Sequence, residues 1–188
     1  MNFLRYSRRV AVFALMLMFA SLLDAPMGAL ASAGDPPTVP SDIAVPAGSV
    51  LLFSSHARGQ QIYECKSGAW ALHAPHANLF DPATHQRVGI HYGGIDKGLN
   101  LGPWWESLAD GSSIRGGNAK SAPSPNPDSI PLLRLEVLEH AGSGMFSPVA
   151  FIQRLNTEGG LAPAGACKPN QQRRVNYTAD YYFYGNGQ

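Results

Sequence analysis

Hydrophobic and polar residues alternate along several short stretches of this chain, and the clearest alternation lies near the C-terminus. There, every second position is apolar or aromatic: Val175, Tyr177, Ala179, Tyr181 and Phe183. Successive side chains of a β-strand point to opposite faces of a sheet, so a period of two predicts a strand with one buried face. We expect residues 175–184 to form a strand whose core face carries these five side chains.

Two further segments show the same period. In residues 87–92 the apolar face carries Val88, Ile90 and Tyr92, and the polar face carries Arg87, Gly89 and His91. In residues 132–139 the apolar positions are Leu133, Leu135 and Val137. We expect both segments to be strands, with His91 on the polar face of the first.

Shorter apolar runs and turn residues complete the outline. Strands are also predicted at 49–53, 60–65, 69–73 and 149–155, and the turn of a hairpin at 66–68. A short helical turn is predicted at 104–109, a turn at Gly116-Gly117 and an extended, proline-containing loop at 121–128. Because a sustained 3.6-residue period is missing from the sequence, we predict an all-β fold. The two architectures that fit are a single-domain antiparallel β-sandwich and a small β-barrel, with about eight strands.

The first 33 residues have the layout of a secretory signal peptide. Arg5, Arg8 and Arg9 form a basic head, an apolar run follows at 10–23, and small residues at 28–33 fit a cleavage site. The apolar run is shorter than the roughly 20 residues that a membrane span needs. We therefore expect residues 1–33 to be a signal peptide, 34–48 a proline-rich arm and 49–188 the folded domain of a secreted or periplasmic protein.

Charge and motif content narrow the function classes. The whole chain has a formal net charge of +1, and the leader carries three of the arginines, so the folded domain is close to neutral. A near-neutral domain lacks the electrostatic footprint of a nucleic-acid-binding protein. P-loop, G-x-G-x-x-G and H-E-x-x-H motifs are missing from the sequence. We expect no cofactor, no nucleic-acid partner and, after removal of the leader, no stable insertion into a membrane.

The sequence contains two cysteines, Cys65 and Cys167. In an exported protein a lone pair of cysteines predicts a disulfide, which here would close a loop of about 100 residues. The competing interpretation, a catalytic thiol or a metal ligand, has no C-x-x-C spacing to support it.

One group of polar residues suggests acid–base chemistry. An imidazole with a nearby carboxylate is the minimum equipment for general acid–base catalysis near neutral pH, and His91 with Glu106 or Asp110 could supply it. Glu106 and Asp110 could also act as a glycosidase-type carboxylate pair, with Trp104 or Trp105 as a platform for a sugar ring. The alternative is that these residues are architectural, with Asp110 in a turn and Trp105 in the core.

A second group suggests ligand binding. Tyr182 and Tyr184 share the outer face of the last predicted strand with Asp180 and could form an aromatic binding surface, or lie under a loop or a second sheet. Arg154 is either a polar anchor or a ligand-binding arginine, and Trp105 could contact a ligand. Four histidines (His73, His76, His85 and His91) match no metal-binding spacing, so we predict no metal site.

A string of short motifs runs through the folded domain. It includes Gln61-Ile62-Tyr63-x-Cys65, Gly68-x-Trp70, Gly89-x-His91-Tyr92, Gly102-Pro103-x-Trp105-Glu106 and Ile152-Gln153-Arg154-x-Asn156-Thr157. Over roughly residues 47–184 this pattern resembles the family catalogued as domain of unknown function 3455, which is found in exported bacterial and fungal proteins. The resemblance implies a compact exported domain and carries over no catalytic residues. Residues 95–101 depart from the family pattern, and we interpret them as a loop insertion between His91 and Trp105.

Two functions follow as hypotheses. The first is a non-catalytic binding or structural module of the cell envelope or the extracellular space, with a glycan or an envelope protein as its partner. The second is a hydrolase-like enzyme that uses His91 with Glu106 or Asp110 on a glycan-type substrate. A weaker third hypothesis is a metal- or stress-related periplasmic factor.

Overall fold

A computed structural model describes residues 35–99 and 101–187, except for the side chains of residues 95 and 96. The predicted signal peptide, residues 1–33, lies outside the described residues. Within the described ranges, none of the helical segments has the length and hydrophobicity that a membrane span requires.

Eight strands close into one antiparallel barrel in which each strand pairs with its neighbours in the sequence. The strands are β1 (Val50–Lys66), β2 (Ala69–Phe80), β3 (Arg87–Gly93), β4 (Pro103–Ser107), β5 (Ser113–Ala122), β6 (Leu132–Ala141), β7 (Phe151–Gly159) and β8 (Gln172–Gly185). The barrel closes because β1 pairs with both β2 and β8 over most of its length. The prediction of an all-β fold is thus confirmed, and of the two proposed architectures the chain adopts the barrel.

The hairpin between β1 and β2 turns within the predicted segment 66–68, and its two loop residues are Ser67 and Gly68. Ser67 and Gly68 both have positive φ values, 53° and 82°, which is the backbone that a type I′ turn requires. Cys65, beside this turn, forms the predicted disulfide with Cys167, with 5.7 Å between the two Cα atoms. The bridge therefore attaches the segment before β8 to one end of the barrel.

The interior of the barrel is filled mainly by alternate side chains of its strands. The predicted core face of β8 is confirmed for four of its five side chains, because Tyr177, Ala179, Tyr181 and Phe183 are buried while Val175 is half-buried. Phe183 packs on Phe53 at a centroid distance of 4.6 Å and edge-on against Phe146 at 5.2 Å. These rings pack together in the end of the barrel opposite the β1–β2 turn.

Residues 35–49 pack against the outside of the barrel. They contain a short 3-10 helix, η1 (Ser41–Ile43), whose Ile43 is fully buried. Ile43 lies in a small apolar cluster with Ala122, Leu132 and Leu155. The backbone carbonyl of Ile43 also accepts a hydrogen bond of 2.7 Å from the Gln153 side chain. The proline-rich arm is therefore held both by apolar burial and by a polar contact.

Two local predictions were wrong. Residues 104–109 do not form a helical turn, since residues 104–107 belong to β4, which pairs with β3 and β5. Gly116-Gly117 is not a turn but an irregular point within β5. A Cβ atom on Gly116 would lie 3.0 Å from the Trp105 ring, so a glycine at this position leaves room for the indole inside the barrel.

Candidate functional site

A cavity of about 450 Å³ occupies the end of the barrel nearest the β1–β2 turn. Its walls come from seven of the eight strands and include Gln61, Leu72, His91, Trp105, Leu133, Arg154 and Tyr181. Leu72 and Leu101, which also line it, are 54% and 71% exposed, so the cavity opens to solvent. Pockets that bind small molecules have volumes of about 300–1,000 Å³, and this cavity falls in that range.

Three aromatic side chains form the floor of the cavity. His91 stacks on Trp105 with ring centroids 4.2 Å apart, and Tyr181 meets both rings edge-on at 5.1 and 5.4 Å. All three side chains are at most 2% exposed. These three rings separate the cavity from the end of the barrel in which Phe53, Phe146 and Phe183 pack together.

His91 faces the barrel interior, which corrects the prediction that it lies on the polar face of its strand. It pairs across the sheet with Trp105, so both side chains point inward. Tyr92 points the other way, yet it is buried because Lys97 covers its ring at 4.0 Å. The more apolar face of this strand therefore points outward, where the loop with Lys97 covers it, although its sequence pattern is typical of a face that points into the core.

The segment interpreted as an insertion, residues 95–101, leaves the pairing of His91 with Trp105 intact. The β3–β4 ladder continues from Gly89 and Ser107 to Gly93 and Pro103, so the extra residues extend only the connection at the end of the hairpin. Leu101 in this connection lines the cavity mouth. Leu101 therefore contributes to the entrance, and His91 and Trp105 remain direct cross-strand partners.

The protonation state of His91 follows from its surroundings. Burial lowers the pKa of His91 to about 3, although a backbone hydrogen bond to Trp104 opposes the shift. That bond joins Nδ1 to the Trp104 carbonyl at 2.8 Å, and a carbonyl can only accept, so Nδ1 carries the proton. The ring is therefore neutral at pH 7, and its Nε2 has a lone pair that makes no hydrogen bond to any described residue.

Several buried polar atoms around the cavity have no hydrogen-bond partner among the described residues. They are both side-chain polar atoms of Gln61, the indole Nε1 of Trp105 and the Nε of Arg154. Native proteins rarely leave buried polar atoms unpaired, and an unpaired donor or acceptor costs about 1–3 kcal/mol. Each of these atoms is itself shielded from solvent, so a hydrogen bond to water or to a bound molecule requires a movement of the surrounding side chains.

Asp180, Tyr182 and Tyr184 do not form the open aromatic surface that was considered. Asp180 accepts hydrogen bonds from His56 at 2.7 Å and from Asn156 at 2.8 Å. Tyr184 is 1% exposed and donates to the Gln153 side chain, and Tyr182 packs against the Ile43 cluster beside the arm. Of the two interpretations left open, the one in which a covering segment packs on this face fits the structure.

The structure does not bring Glu106 or Asp110 into hydrogen-bond contact with His91. Glu106 accepts hydrogen bonds from Lys97 at 2.7 Å and from the Tyr92 hydroxyl at 2.8 Å on the outside of the barrel. Partial desolvation raises the pKa of Glu106, whereas these two hydrogen bonds together lower it by more than that. The net shift of the pKa is therefore downward.

Asp110 is equally occupied, because it organises a turn. Its carboxylate accepts hydrogen bonds from Ser112 and from the backbone N–H of Met145. Hydrogen bonds from the Ser112 hydroxyl and the Met145 amide lower the pKa of Asp110 to about 2. A carboxylate with this pKa stays ionised at neutral pH, so it is poorly suited to donate a proton.

The described residues contain no cluster of three or more metal-binding side chains. His73, at the cavity wall, has its Nδ1 3.0 Å from a carboxylate oxygen of Glu64. The other histidines considered as ligands are distributed over different parts of the barrel, with His76 and His85 exposed and His91 in the floor.

A second cavity of about 430 Å³ lies at the opposite end of the barrel. Its walls are formed largely by Phe53, Leu79, Phe146 and Phe183, together with Ser55, whose buried hydroxyl has no partner among the described residues. The first cavity is the stronger candidate site, because it combines apolar walls with several unpaired polar atoms and a cation.

Sequence reasoning singled out several of the cavity residues and missed Gln61. His91, Trp105 and Arg154 were singled out and lie together in this cavity. Gln61 was missed, although it is 2% exposed and both of its side-chain polar atoms are unpaired. The predicted strand at 60–65 mixes polar and apolar residues, with Gln60 and Gln61 side by side, so the segment alone does not tell which glutamine points inward.

Comparison with known proteins gives one match. Residues 46–185 match the family described as "Protein of unknown function (DUF3455)". Searches of curated proteins and of solved structures return no match. Because the matched region spans most of the chain and all eight strands of the barrel, the protein belongs to the DUF3455 family.

Proposed function

We propose that this protein is an exported binding protein that holds one small molecule inside its barrel. The observation that carries this proposal is the open cavity of about 450 Å³ above the His91–Trp105–Tyr181 floor. An eight-stranded barrel is just wide enough either to be filled by its own side chains or to hold one small ligand. Here the end nearest the β1–β2 turn holds a cavity that opens to solvent, and several of the residues that line it carry unpaired polar atoms.

Export is part of the same proposal. It rests on the predicted signal peptide and on the disulfide between Cys65 and Cys167, since disulfides persist mainly in oxidising compartments. The protein is therefore expected in the periplasm or outside the cell. A binding role is favoured over the hydrolase alternative, because His91 is neutral and makes no hydrogen bond to Glu106 or Asp110.

The test uses a neutral fluorescent probe, N-phenyl-1-naphthylamine, which brightens in apolar cavities. Titration into the exported protein should give saturable fluorescence with one probe per chain. Leu133→Trp should abolish this signal, because Leu133 lines the cavity and the larger ring would fill it. The matched control is Leu138→Trp on the same strand, where the side chain is 43% exposed and does not line the cavity.

Circular dichroism and thermal unfolding verify that both variants fold. Equal probe binding by wild type and the folded Leu133→Trp variant would contradict the proposal, because the probe would then bind elsewhere. Absence of probe binding to the folded wild type would contradict it as well.

A further inference from the structure

The cavity wall carries a cation without a protein counter-charge. Among the described arginines, three are not exposed: Arg115, Arg134 and Arg154. Arg115 pairs with Glu139, and Arg134 pairs with Glu136. Arg154 has no carboxylate partner among the described residues: its Nη2 donates to the Pro131 carbonyl at 2.8 Å, and its side chain also interacts with the Tyr181 hydroxyl. A shielded guanidinium of this kind is stabilised by an anion.

The electrostatics of the rest of the cavity point the same way. None of the residues lining it is an aspartate or a glutamate. Lys66, which also lines it, is paired with Glu64 at 2.8 Å at the rim, and His91 is neutral. Arg154 is therefore the uncompensated charge of the site, which favours an anionic over a cationic ligand.

Three hydrogen-bond donors that belong to residues lining the cavity are unpaired within the described part of the chain. They are the Nε of Arg154, the Nε2 of Gln61 and the Nε1 of Trp105. A carboxylate offers two oxygens with about four acceptor positions and matches the planar guanidinium well. One carboxylate could thus satisfy several donors that the protein itself leaves unpaired.

The remaining walls favour a compact, planar body for the ligand. Leu133, Leu135, Pro75 and Pro103 supply apolar surface, and Trp105 and Tyr181 supply aromatic surface. At about 30 Å³ for each non-hydrogen atom, the volume that one water occupies in the liquid, the cavity holds on the order of 15 such atoms. A molecule with a carboxylate on a single aromatic ring or on two fused rings fits within this size.

We propose that the ligand is a compact aromatic carboxylate whose carboxylate is bound by Arg154 and Gln61, and whose ring lies between the apolar walls and the Trp105–Tyr181 floor. This proposal rests on the proposed function, because it names the ligand class of the same cavity. It makes Arg154 the residue that determines ligand charge, and the aromatic floor the feature that determines ligand shape.

The test compares three probes by isothermal titration calorimetry: 2-naphthoate, its neutral isostere 2-naphthamide, and laurate, which carries the same charge on a flexible chain. We expect 2-naphthoate to bind about tenfold or more tighter than 2-naphthamide, the usual effect of a hydrogen bond to a charged group. Laurate should bind more weakly than 2-naphthoate. Arg154→Met should remove the preference for the acid and leave the affinity for the amide within about twofold.

Controls separate a loss of recognition from a loss of fold. Arg174→Met removes an exposed arginine outside the cavity and should change nothing. Binding of N-phenyl-1-naphthylamine to Arg154→Met shows that the cavity is intact in that variant. If that variant does not fold, Arg154→Lys and Gln61→Leu replace it, and each should weaken 2-naphthoate more than 2-naphthamide.

The outcomes distinguish this proposal from the one it rests on. Equal affinity for acid and amide, with the neutral probe still bound, overturns the carboxylate assignment and leaves the binding function standing. Laurate binding as tightly as 2-naphthoate overturns the assignment of an aromatic body. Failure of both the naphthalene probes and the neutral probe overturns the binding function itself.

Discussion

His91 lies where the open cavity meets the packed core, and its protonation is coupled to folding. Burial holds its pKa at about 3 in the folded protein, whereas an unfolded chain has a histidine pKa near 6.5. Below about pH 6.5 the unfolded chain takes up a proton that the folded protein does not. As the pH falls from about 6.5 toward 3, protonation of His91 in the unfolded chain therefore lowers the free energy of unfolding, by up to about 1.4 kcal/mol per pH unit.

This coupling predicts the behaviour of His91→Gln. The free energy of unfolding in urea should fall more steeply for wild type than for His91→Gln between about pH 6.5 and pH 4.5. His85→Gln, which changes an exposed histidine, should behave like wild type. Parallel pH profiles for wild type and His91→Gln would show that His91 titrates in the folded protein as it does in an unfolded chain.

Single side chains were harder to place than strands. The alternation at 87–92 predicted a strand correctly, but the more apolar face, with Ile90 and Tyr92, was taken as the core face. In the barrel, His91 points inward because its cross-strand partner is Trp105, while Lys97 covers Tyr92 from outside. Which face is buried depends on partners distant in the sequence, and the segment itself does not encode them.

At the scale of elements, the arm at residues 35–49 stabilises the outside of the barrel. Ile43 is fully buried with Leu132 and Leu155, and Gln153 holds its carbonyl. Truncating a buried isoleucine to alanine costs about 2–5 kcal/mol when the whole structure must accommodate the cavity. A short arm can also detach from the barrel. The loss of stability caused by Ile43→Ala therefore cannot exceed the free energy with which the arm docks.

We therefore expect Ile43→Ala to lower the free energy of urea unfolding by about 1–3 kcal/mol and to speed proteolysis within the arm. Ile43→Val should cost about 1 kcal/mol, and Val50→Ala, at a site 54% exposed, should cost much less. Barrel circular dichroism should be unchanged in all three variants. An Ile43→Ala variant as stable and as protease-resistant as wild type would contradict the docking described here.

Strands with strong alternation could be predicted, while long or irregular ones could be predicted only in part. β1 runs from Val50 to Lys66. Because the middle of this strand is polar, only its two ends were predicted as strands, at 49–53 and 60–65. β5 was missed, because Gly116-Gly117 has the composition of a turn. Both elements owe their extended conformation to pairing on both edges, and not to their own hydrophobic pattern.

At the scale of the whole molecule, the sequence pattern was compatible with a sandwich and with a barrel. Closure of the barrel requires the ladder between β1 and β8, which joins residues more than 100 positions apart. Local periodicity contains no information on such pairing. The cavity follows from the same closure, because His91, Arg154 and Tyr181 lie on three different strands that only the closed barrel brings together.

The disulfide acts on this closed barrel as a whole. It joins Cys65 at the end of β1 to Cys167 before β8, across a separation of 102 residues. Closing a loop of that length in the unfolded chain is expected to stabilise the folded state by about 4–5 kcal/mol, and strain or residual structure reduces the realised gain. The bridge also lies beside Lys66, a residue of the cavity wall.

We expect the double variant Cys65→Ser/Cys167→Ser to lose about 2–5 kcal/mol of unfolding free energy and to melt at a clearly lower temperature. We expect the folded double variant to bind N-phenyl-1-naphthylamine with wild-type affinity, because the main effect of the disulfide is on the unfolded chain. That result would show that the disulfide stabilises the fold and is not needed to shape the cavity. Wild type treated with a reductant should shift toward the variant, and the reductant should leave the variant itself unchanged. A double variant with the melting temperature of oxidised wild type would contradict this account, since the barrel would then be closed by its β1–β8 ladder without help from the cross-link.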